Sequence, residues 1–132
     1  MLSKYLKNLD LTEKDTPQYW EPNDKRQEQW KKEREEYGFD SRETWSLDYT
    51  FKLWLYERLS MYNEVAPKVI DTSFHKYEFK GEQITFQDCI NKMLEGLKID
   101  LTIEDYDRTE EQKQKAFDVI QIFALCFNSL WW

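Results

Sequence analysis

The chain has 132 residues, of which 40% are apolar and 34% are charged, a composition that fits one globular domain and excludes a disordered chain. A net charge of −7 repels a phosphate backbone, which argues against direct binding of nucleic acid. Three glycines and three prolines are too few for the many turns of a β-sandwich or barrel, so a mainly helical fold is expected.

Residues 1–22 form an N-terminal arm that contains Pro17 and Pro22 and a short helical pattern near its start. Two interpretations stay open for this arm. It lies over the surface and is held there by Tyr19 and Trp20, or it is a mobile tail that becomes ordered on a partner. Residues 23–132 are predicted to form a single helical domain.

A polar helix is predicted for residues 24–37, with Asn23 as its cap. Trp30 and Tyr37 are its only apolar side chains, seven positions apart, so the helix should contact the rest of the protein through one narrow stripe. Gly38 is suited to the left-handed backbone conformation that is common directly after the end of a helix.

A long apolar helix is predicted for residues 47–62. Asp40 and Glu43 have the spacing of a capping box ahead of it, and Thr44 or Ser46 could cap it instead. The apolar side chains recur every three or four positions and form one face. That face comprises Leu47, Phe51, Trp54, Leu55, Leu59 and Tyr62.

Pro67 is predicted to end this helix, because its ring clashes with helical continuation. The period then changes, since apolar and charged side chains alternate in residues 73–85. Lys80 and Gly81 fit a two-residue turn between two short strands. A small β-hairpin is therefore expected at residues 73–85.

Two further helices complete the prediction. Thr85 is predicted to cap a helix that runs to about residue 97. Gly96, near its end, suits a close contact or an early stop. Residues 98–108 are then predicted to form an acidic loop. Thr109 and Gln112 form a capping box for a last helix that is apolar on most sides and is therefore expected to be central. The predicted fold class is mainly α, a small helical bundle with a minor β-hairpin.

The junction at residues 38–50 reads Gly-Phe-Asp-Ser-Arg-Glu-Thr-Trp-Ser-Leu-Asp-Tyr-Thr, and the chain ends in Leu130, Trp131 and Trp132. Together with the basic stretch around Trp30, these features resemble small proteins of tailed bacteriophages and prophages. Many of those proteins have Ile-Leu-Pro-Arg-Leu after the position of Leu53, where this chain has no proline. The resemblance implies a protein in the cytoplasm of a bacterial host. It transfers no functional residue, because that group has no assigned activity.

The sequence contains little that indicates catalysis. His75 is the only histidine, and no carboxylate or cysteine stands at motif spacing from it. The glycines are isolated, and no residues have the spacing of a zinc or calcium site, so no cofactor and no metal are expected. Cys89 and Cys126 are interpreted as small buried apolar residues. We therefore expect a protein that is not an enzyme.

One catalytic alternative concerns the residues before and within the predicted hairpin. Asp71, followed by Glu78 and Lys80, faintly resembles the carboxylates and lysine of Mg²⁺-dependent nucleases. Alternating charges on the solvent face of a hairpin explain the same residues.

The favoured hypothesis is a non-enzymatic protein that binds a host or phage protein, with inhibition of a host defence system as one form. An aromatic content of 17% supports it, because so many large rings are hard to bury in a small domain. Alternatives are a self-associating assembly component and an acidic mimic of nucleic acid. No membrane partner is expected, because the longest mostly apolar run, residues 119–127, is too short to cross a bilayer.

The candidate interaction surface combines the junction with the terminal tryptophans. Its carboxylates also suit helix caps, which is the simpler interpretation of them. The surface comprises Asp40, Arg42, Glu43, Trp45, Asp48, Trp131 and Trp132.

Overall fold

A computed structural model describes all residues from 1 to 132 and confirms a mainly α fold with a minor hairpin. The chain divides into two compact units, Met1–Leu55 and Tyr56–Trp132. The helices are α1 (Lys4–Lys7), α2 (Gln27–Tyr37), α3 (Arg42–Trp45), α4 (Leu47–Val65), α5 (Phe86–Thr102) and α6 (Glu110–Cys126), and the strands are β1 (Lys76–Phe79) and β2 (Glu82–Thr85).

The N-terminal residues contain a short helix, α1, and three buried leucines. The side chain of Ser3 caps α1 by accepting a hydrogen bond from the N–H of Leu6. Leu2, Leu6 and Leu9 are buried. These three side chains therefore lie against other residues of the protein.

Helix α2 begins three residues later than predicted, because Asp24 rather than Asn23 organises its start. The Asp24 carboxylate accepts the backbone N–H of Arg26, the residue before the helix. At the other end, Gly38 has a φ of +85° and its N–H bonds to the carbonyl of Arg34, as the sequence predicted. Trp30 is the one buried side chain of this helix.

The long helix α4 ends at Val65 and is followed by a 3₁₀ turn that contains Pro67, as predicted. The predicted apolar face is only partly correct. Leu55 and Leu59 are buried, whereas Leu47 and Trp54 are exposed. Periodicity located the helix but did not determine which part of its wide apolar surface is covered.

The predicted hairpin is confirmed and has its turn at Lys80 and Gly81. Both residues have positive φ values, 52° and 79°, which is the backbone of a type I′ turn and matches the twist of the strands. Phe79 pairs with Glu82 across the turn, and the strands are antiparallel.

The predicted cap at Thr85 and the predicted capping box of Thr109 and Gln112 are both present in the second unit, and Thr85 forms a capping box with Asp88. Helix α5 continues to Thr102, five residues beyond the predicted end, so the acidic loop is shorter than expected. The helix does not stop at Gly96 because this glycine serves a close crossing. A Cβ there would lie 2.4 Å from Cγ2 of Val119 and 2.5 Å from the carbonyl oxygen of Lys115.

The prediction that the last helix is central was wrong. Eight residues of α5 are buried, but only Val119, Ile122 and Cys126 of α6 are. Phe117, Ile120 and several neighbours on α6 are exposed instead. A helix that is apolar on most sides can be buried on one of them and leave another uncovered, and the sequence pattern does not distinguish the two.

The two cysteines are free thiols and are buried, as the sequence indicated. They also contact one another, which the sequence did not show. The hydrogen bond between Cys89 and Cys126, together with burial, raises the pKa of the Cys126 thiol well above its usual range.

The tight crossing of α5 and α6 predicts the sign of one substitution. In an exposed helix, Gly→Ala stabilises by about 1 kcal/mol. In Gly96→Ala, the added methyl meets the backbone of α6, so we expect a net destabilisation of about 1–2 kcal/mol, measured by urea unfolding. Lys98→Ala, at an exposed position of the same helix, is the control and should change little. A Gly96→Ala protein more stable than the wild type would contradict the close approach.

Candidate binding surface

A buried carboxylate lies at the centre of the first unit. The Asp40 side chain is 0% exposed, and that of its main partner Arg42 is 4% exposed. Arg42 donates from Nε to Oδ1 at 2.9 Å and from Nη2 to Oδ2 at 2.6 Å, which is a bidentate pair. Arg34 donates a third bond to Oδ2 at 2.7 Å. The carboxylate thus joins the last part of α2 to the start of α3.

These donors keep Asp40 ionised despite its burial. The hydrogen bonds from the Arg42 guanidinium lower the pKa of the Asp40 carboxyl to about 2, against the opposing effect of desolvation, and Arg34 and the backbone N–H of Arg42 add to the lowering. Arg42 also donates from Nη1 to the carbonyl of Gln18, so the same guanidinium holds the N-terminal segment.

The remaining polar side chains of the junction serve its backbone. Glu43 accepts the N–H of Asp40 at 3.2 Å, which is half of the predicted capping box. Glu33 accepts the N–H of Ser41 at 2.8 Å. These bonds satisfy donors that the turn between two helices would otherwise leave unpaired. The structural interpretation of the junction carboxylates is therefore correct for Asp40 and Glu43.

Three tryptophans of the first unit form a cluster. The ring centroids of Trp20, Trp30 and Trp45 are 5.4–6.0 Å apart, and each pair of rings is close to perpendicular, at 71–79°. This is the edge-to-face arrangement that aromatic rings favour. Trp30 is buried, whereas Trp45 is 51% exposed and Trp20 is partly exposed. We call these three residues the tryptophan cluster.

Two guanidinium groups lie over the tryptophan cluster. Arg42 lies 4.4 Å from the centroid of Trp30. Arg26 lies 5.1–5.4 Å from the centroids of all three rings. Asp24 positions Arg26 by accepting from its Nε and Nη2 at 3.1 and 3.2 Å, and it also accepts the indole N–H of Trp20. The hydrogen bonds from Arg26 lower the pKa of Asp24.

A cavity of about 420 Å³ opens beside the tryptophan cluster. The aromatic rings of Tyr19, Trp20, Trp45 and Tyr49 line it. Burial, with a smaller contribution from the Asp15 carboxylate, raises the pKa of the Tyr49 hydroxyl. The charged residues of the lining are Lys14, Asp15, Glu21 and Arg42.

The structure separates the predicted interaction residues into two groups. Asp40 and Arg42 are buried and bonded to each other, so they are corrected from surface residues to structural ones. Glu43 is half-buried, whereas Trp45 and Asp48 are exposed. Asp48 forms an i,i+4 ion pair with Lys52 on α4. Of the junction residues, Trp45 is therefore the strongest remaining candidate for contact with a partner.

The terminal tryptophans belong to the second unit and are both exposed. The hydroxyl of Tyr62 donates to the carbonyl of Trp131 at 2.8 Å, so the backbone is anchored while the indoles face solvent. Contact of this pair with another subunit stays a prediction.

The tryptophan cluster is the functional feature that sequence reasoning missed. The sequence assigns separate roles to the three residues: Trp20 holds the arm, Trp30 lies on the contact stripe of a helix, and Trp45 belongs to the candidate interaction surface. They lie ten and fifteen positions apart and share no helical or strand period, so no local pattern joins them. The sequence does contain one signal for the cluster, since two arginines and three tryptophans that can form cation–π contacts occur in one short region.

Two of the three residues of the nuclease alternative, Asp71 and Lys80, have partners in the structure. Asp71 accepts hydrogen bonds from the N–H and hydroxyl of Ser73, and Lys80 pairs with Asp118 at 2.9 Å. No group of three or more His, Cys, Asp or Glu side chains is arranged to hold a metal ion. No helix is long and apolar enough to cross a membrane.

No model of a protein family matches the chain, and comparisons with curated proteins and with solved structures give no significant match. The resemblance of residues 38–50 to phage proteins therefore stays a prediction. Function has to be inferred from the geometry of the residues themselves.

The buried ion pair predicts a graded response to the loss of each arginine. Arg42→Met leaves Asp40 in the interior without its bidentate partner, and we expect a loss of about 3–5 kcal/mol in the free energy of unfolding. Arg34→Met should cost less, because the Arg34 side chain is 41% exposed and contributes one bond. Urea unfolding measures both. The control, Lys113→Met, breaks the exposed pair with Glu110 and should have little effect. Equal effects of Arg42→Met and Lys113→Met would contradict the buried pair.

Proposed function

We propose that this chain is a small non-enzymatic protein that binds another protein through the aromatic surface around Trp45. The resemblance to phage proteins makes a protein of the infected bacterium the natural partner, and a host defence enzyme is one such target. The proposal rests on one observation: the two exposed members of the tryptophan cluster, Trp20 and Trp45, lie beside an open cavity.

Exposed tryptophans of this kind are typical of binding surfaces. Trp is among the residues most enriched at the energetic centres of protein interfaces. Trp45 and Trp20 are held in place by buried Trp30 and by the guanidinium of Arg26. A ring that is already ordered loses little conformational entropy when a partner covers it. The surface therefore has both the composition and the rigidity that a docking site needs.

The charge of the chain favours a protein partner over nucleic acid. With a net charge of −7, association with a basic protein surface is accelerated, whereas a phosphate backbone is repelled. The same charge is compatible with mimicry of nucleic acid, but −7 over 132 residues is modest for that role. An ordinary protein interface with an aromatic centre is the simpler proposal.

The proposal predicts that binding depends on Trp45 in particular, and that another exposed tryptophan, Trp54, does not contribute. The wild type, Trp45→Ala and Trp54→Ala are immobilised, exposed to bacterial lysate at low salt, and the retained proteins are quantified by mass spectrometry. Trp54 is a matched control, because it is 47% exposed against 51% for Trp45 and does not line the cavity. We expect Trp45→Ala to reduce retention of a specific protein about tenfold or more, as for an interface hot spot, and Trp54→Ala to leave it unchanged. No retained protein, or equal loss in both variants, would contradict the proposal.

A second candidate function is self-association, and the exposed side of α6 favours it. Phe117, Ile120, Ala124 and Phe127 follow one another at steps of three and four and are exposed. With Trp131 and Trp132 they supply apolar area on the second unit that two copies could bury.

Sedimentation velocity of the purified chain tests this candidate. Self-association predicts a dimer or a larger species. Phe117→Glu should convert it to a monomer, because burial of an unpaired charge on the exposed side of α6 would cost too much free energy. A monomer at all accessible concentrations removes the candidate and leaves the binding proposal in place.

A further inference from the structure

We propose that the cavity beside Trp20 and Trp45 binds a cationic side chain, arginine or lysine, presented by the partner protein. This inference rests on the proposed function, because it names the chemistry of the group that the aromatic surface receives. It concerns the first unit alone, in which every lining residue of the cavity lies.

The cavity is large enough to admit a long side chain, and part of its lining is aromatic. Its volume of about 420 Å³ lies within the range of roughly 300–1,000 Å³ that is usual for ligand pockets. Tyr19, Trp20, Trp45 and Tyr49 contribute aromatic rings to the walls. The faces of such rings carry a negative quadrupole that attracts ammonium and guanidinium groups, with Trp the strongest.

The same indoles already bind a cation of the protein itself. The guanidinium of Arg26 lies over Trp20 at 5.2 Å and over Trp45 at 5.4 Å from the ring centroids. Arg26 is tied to Asp24 and is not among the residues that line the cavity. The two indoles that line the cavity are therefore already in contact with one guanidinium, and that arginine is not part of the cavity lining.

The charges around the cavity also favour a cation. Asp15 and Glu21 contribute two carboxylates to the lining, and both residues are exposed. Of the two cations in the lining, Arg42 is buried and paired with Asp40, a carboxylate that it shares with Arg34. Lys14 is the only other positive charge, and as an exposed side chain it is free to turn away from an incoming group. An anionic ligand would meet two carboxylates, and a neutral proline-rich segment would gain nothing from them.

Titration of the full chain with short peptides tests this inference. The indole N–H resonances of Trp20, Trp45 and Trp54 are followed by NMR during addition of hexa-arginine, decaproline or hexaglutamate. We expect hexa-arginine to shift Trp20 and Trp45 in a saturable manner and to leave Trp54 unchanged. Decaproline and hexaglutamate should produce no saturable shift of Trp20 or Trp45.

Variants separate a specific site from general attraction to an acidic protein. Trp45→Ala should weaken hexa-arginine binding about tenfold or more, and Glu21→Gln should weaken it without altering the fold, because Glu21 is exposed. Lys14→Gln removes the competing charge and should strengthen binding. Trp54→Ala should have no effect.

Several results would overturn the inference. Saturable binding of decaproline without hexa-arginine would assign the cavity to a proline-rich segment. Weaker hexa-arginine binding by Lys14→Gln would indicate an anion site. Hexa-arginine binding that survives both Trp45→Ala and Glu21→Gln would place the peptide elsewhere on the protein.

The outcome can be distinguished from failure of the proposed function. Trp45-dependent capture of a protein from lysate without hexa-arginine binding would leave the binding proposal standing and reject the cationic ligand. Hexa-arginine binding at Trp45 with no protein captured would support the chemistry of the cavity and count against the proposed function.

Discussion

The pairing of the buried Asp40 carboxylate with Arg42 is the interaction on which the first unit depends. Removal of a carboxylate from water costs several kcal/mol, and this cost is offset only when the partner's geometry is close to ideal. Arg42 supplies two parallel bonds and Arg34 a third. Because these donors come from α2 and α3, the buried carboxylate ties the two helices together on either side of Gly38.

The aromatic surface is built on the same pair. Arg42, once fixed by Asp40, lies over Trp30 and donates to the carbonyl of Gln18. Trp30 is the buried member against which Trp20 and Trp45 stand edge to face. The polar core therefore positions the rings that remain exposed, and a partner meets a surface that needs little further ordering.

Local features of the fold were predictable from the sequence, because they depend on a few adjacent residues. Gly38 in the left-handed conformation, the turn at Lys80 and Gly81, and the capping boxes at Thr85 and Thr109 all follow from short-range chemistry. The late end of α5 was missed, since Gly96 is equally consistent with a stop and with a close helix crossing. Only the close approach of Gly96 to Val119 in the folded second unit distinguishes a helix crossing from a helix end.

The candidate site was less predictable for a different reason. Asp40 and Arg42 stand in a polar junction between helices, where charged residues are usually solvated or act as caps, so their burial is not a sequence signal. The tryptophan cluster joins residues from three separate segments and has no period. The exposed stripe of α6 has the same spacing as a core stripe, and only the folded arrangement determines which side of the helix is covered.

The pKa of the Asp40 carboxyl, measured by carbon NMR in the native protein, tests this account most directly. A buried carboxylate held by two arginines should titrate at about 2, below the ordinary value of 3.8. Because the pKa is lower in the folded state, its contribution to stability is present above about pH 4 and is lost as the pH falls toward 2. An Asp40 that titrates near 3.8, with no loss of stability in that interval, would contradict the central role of this ion pair.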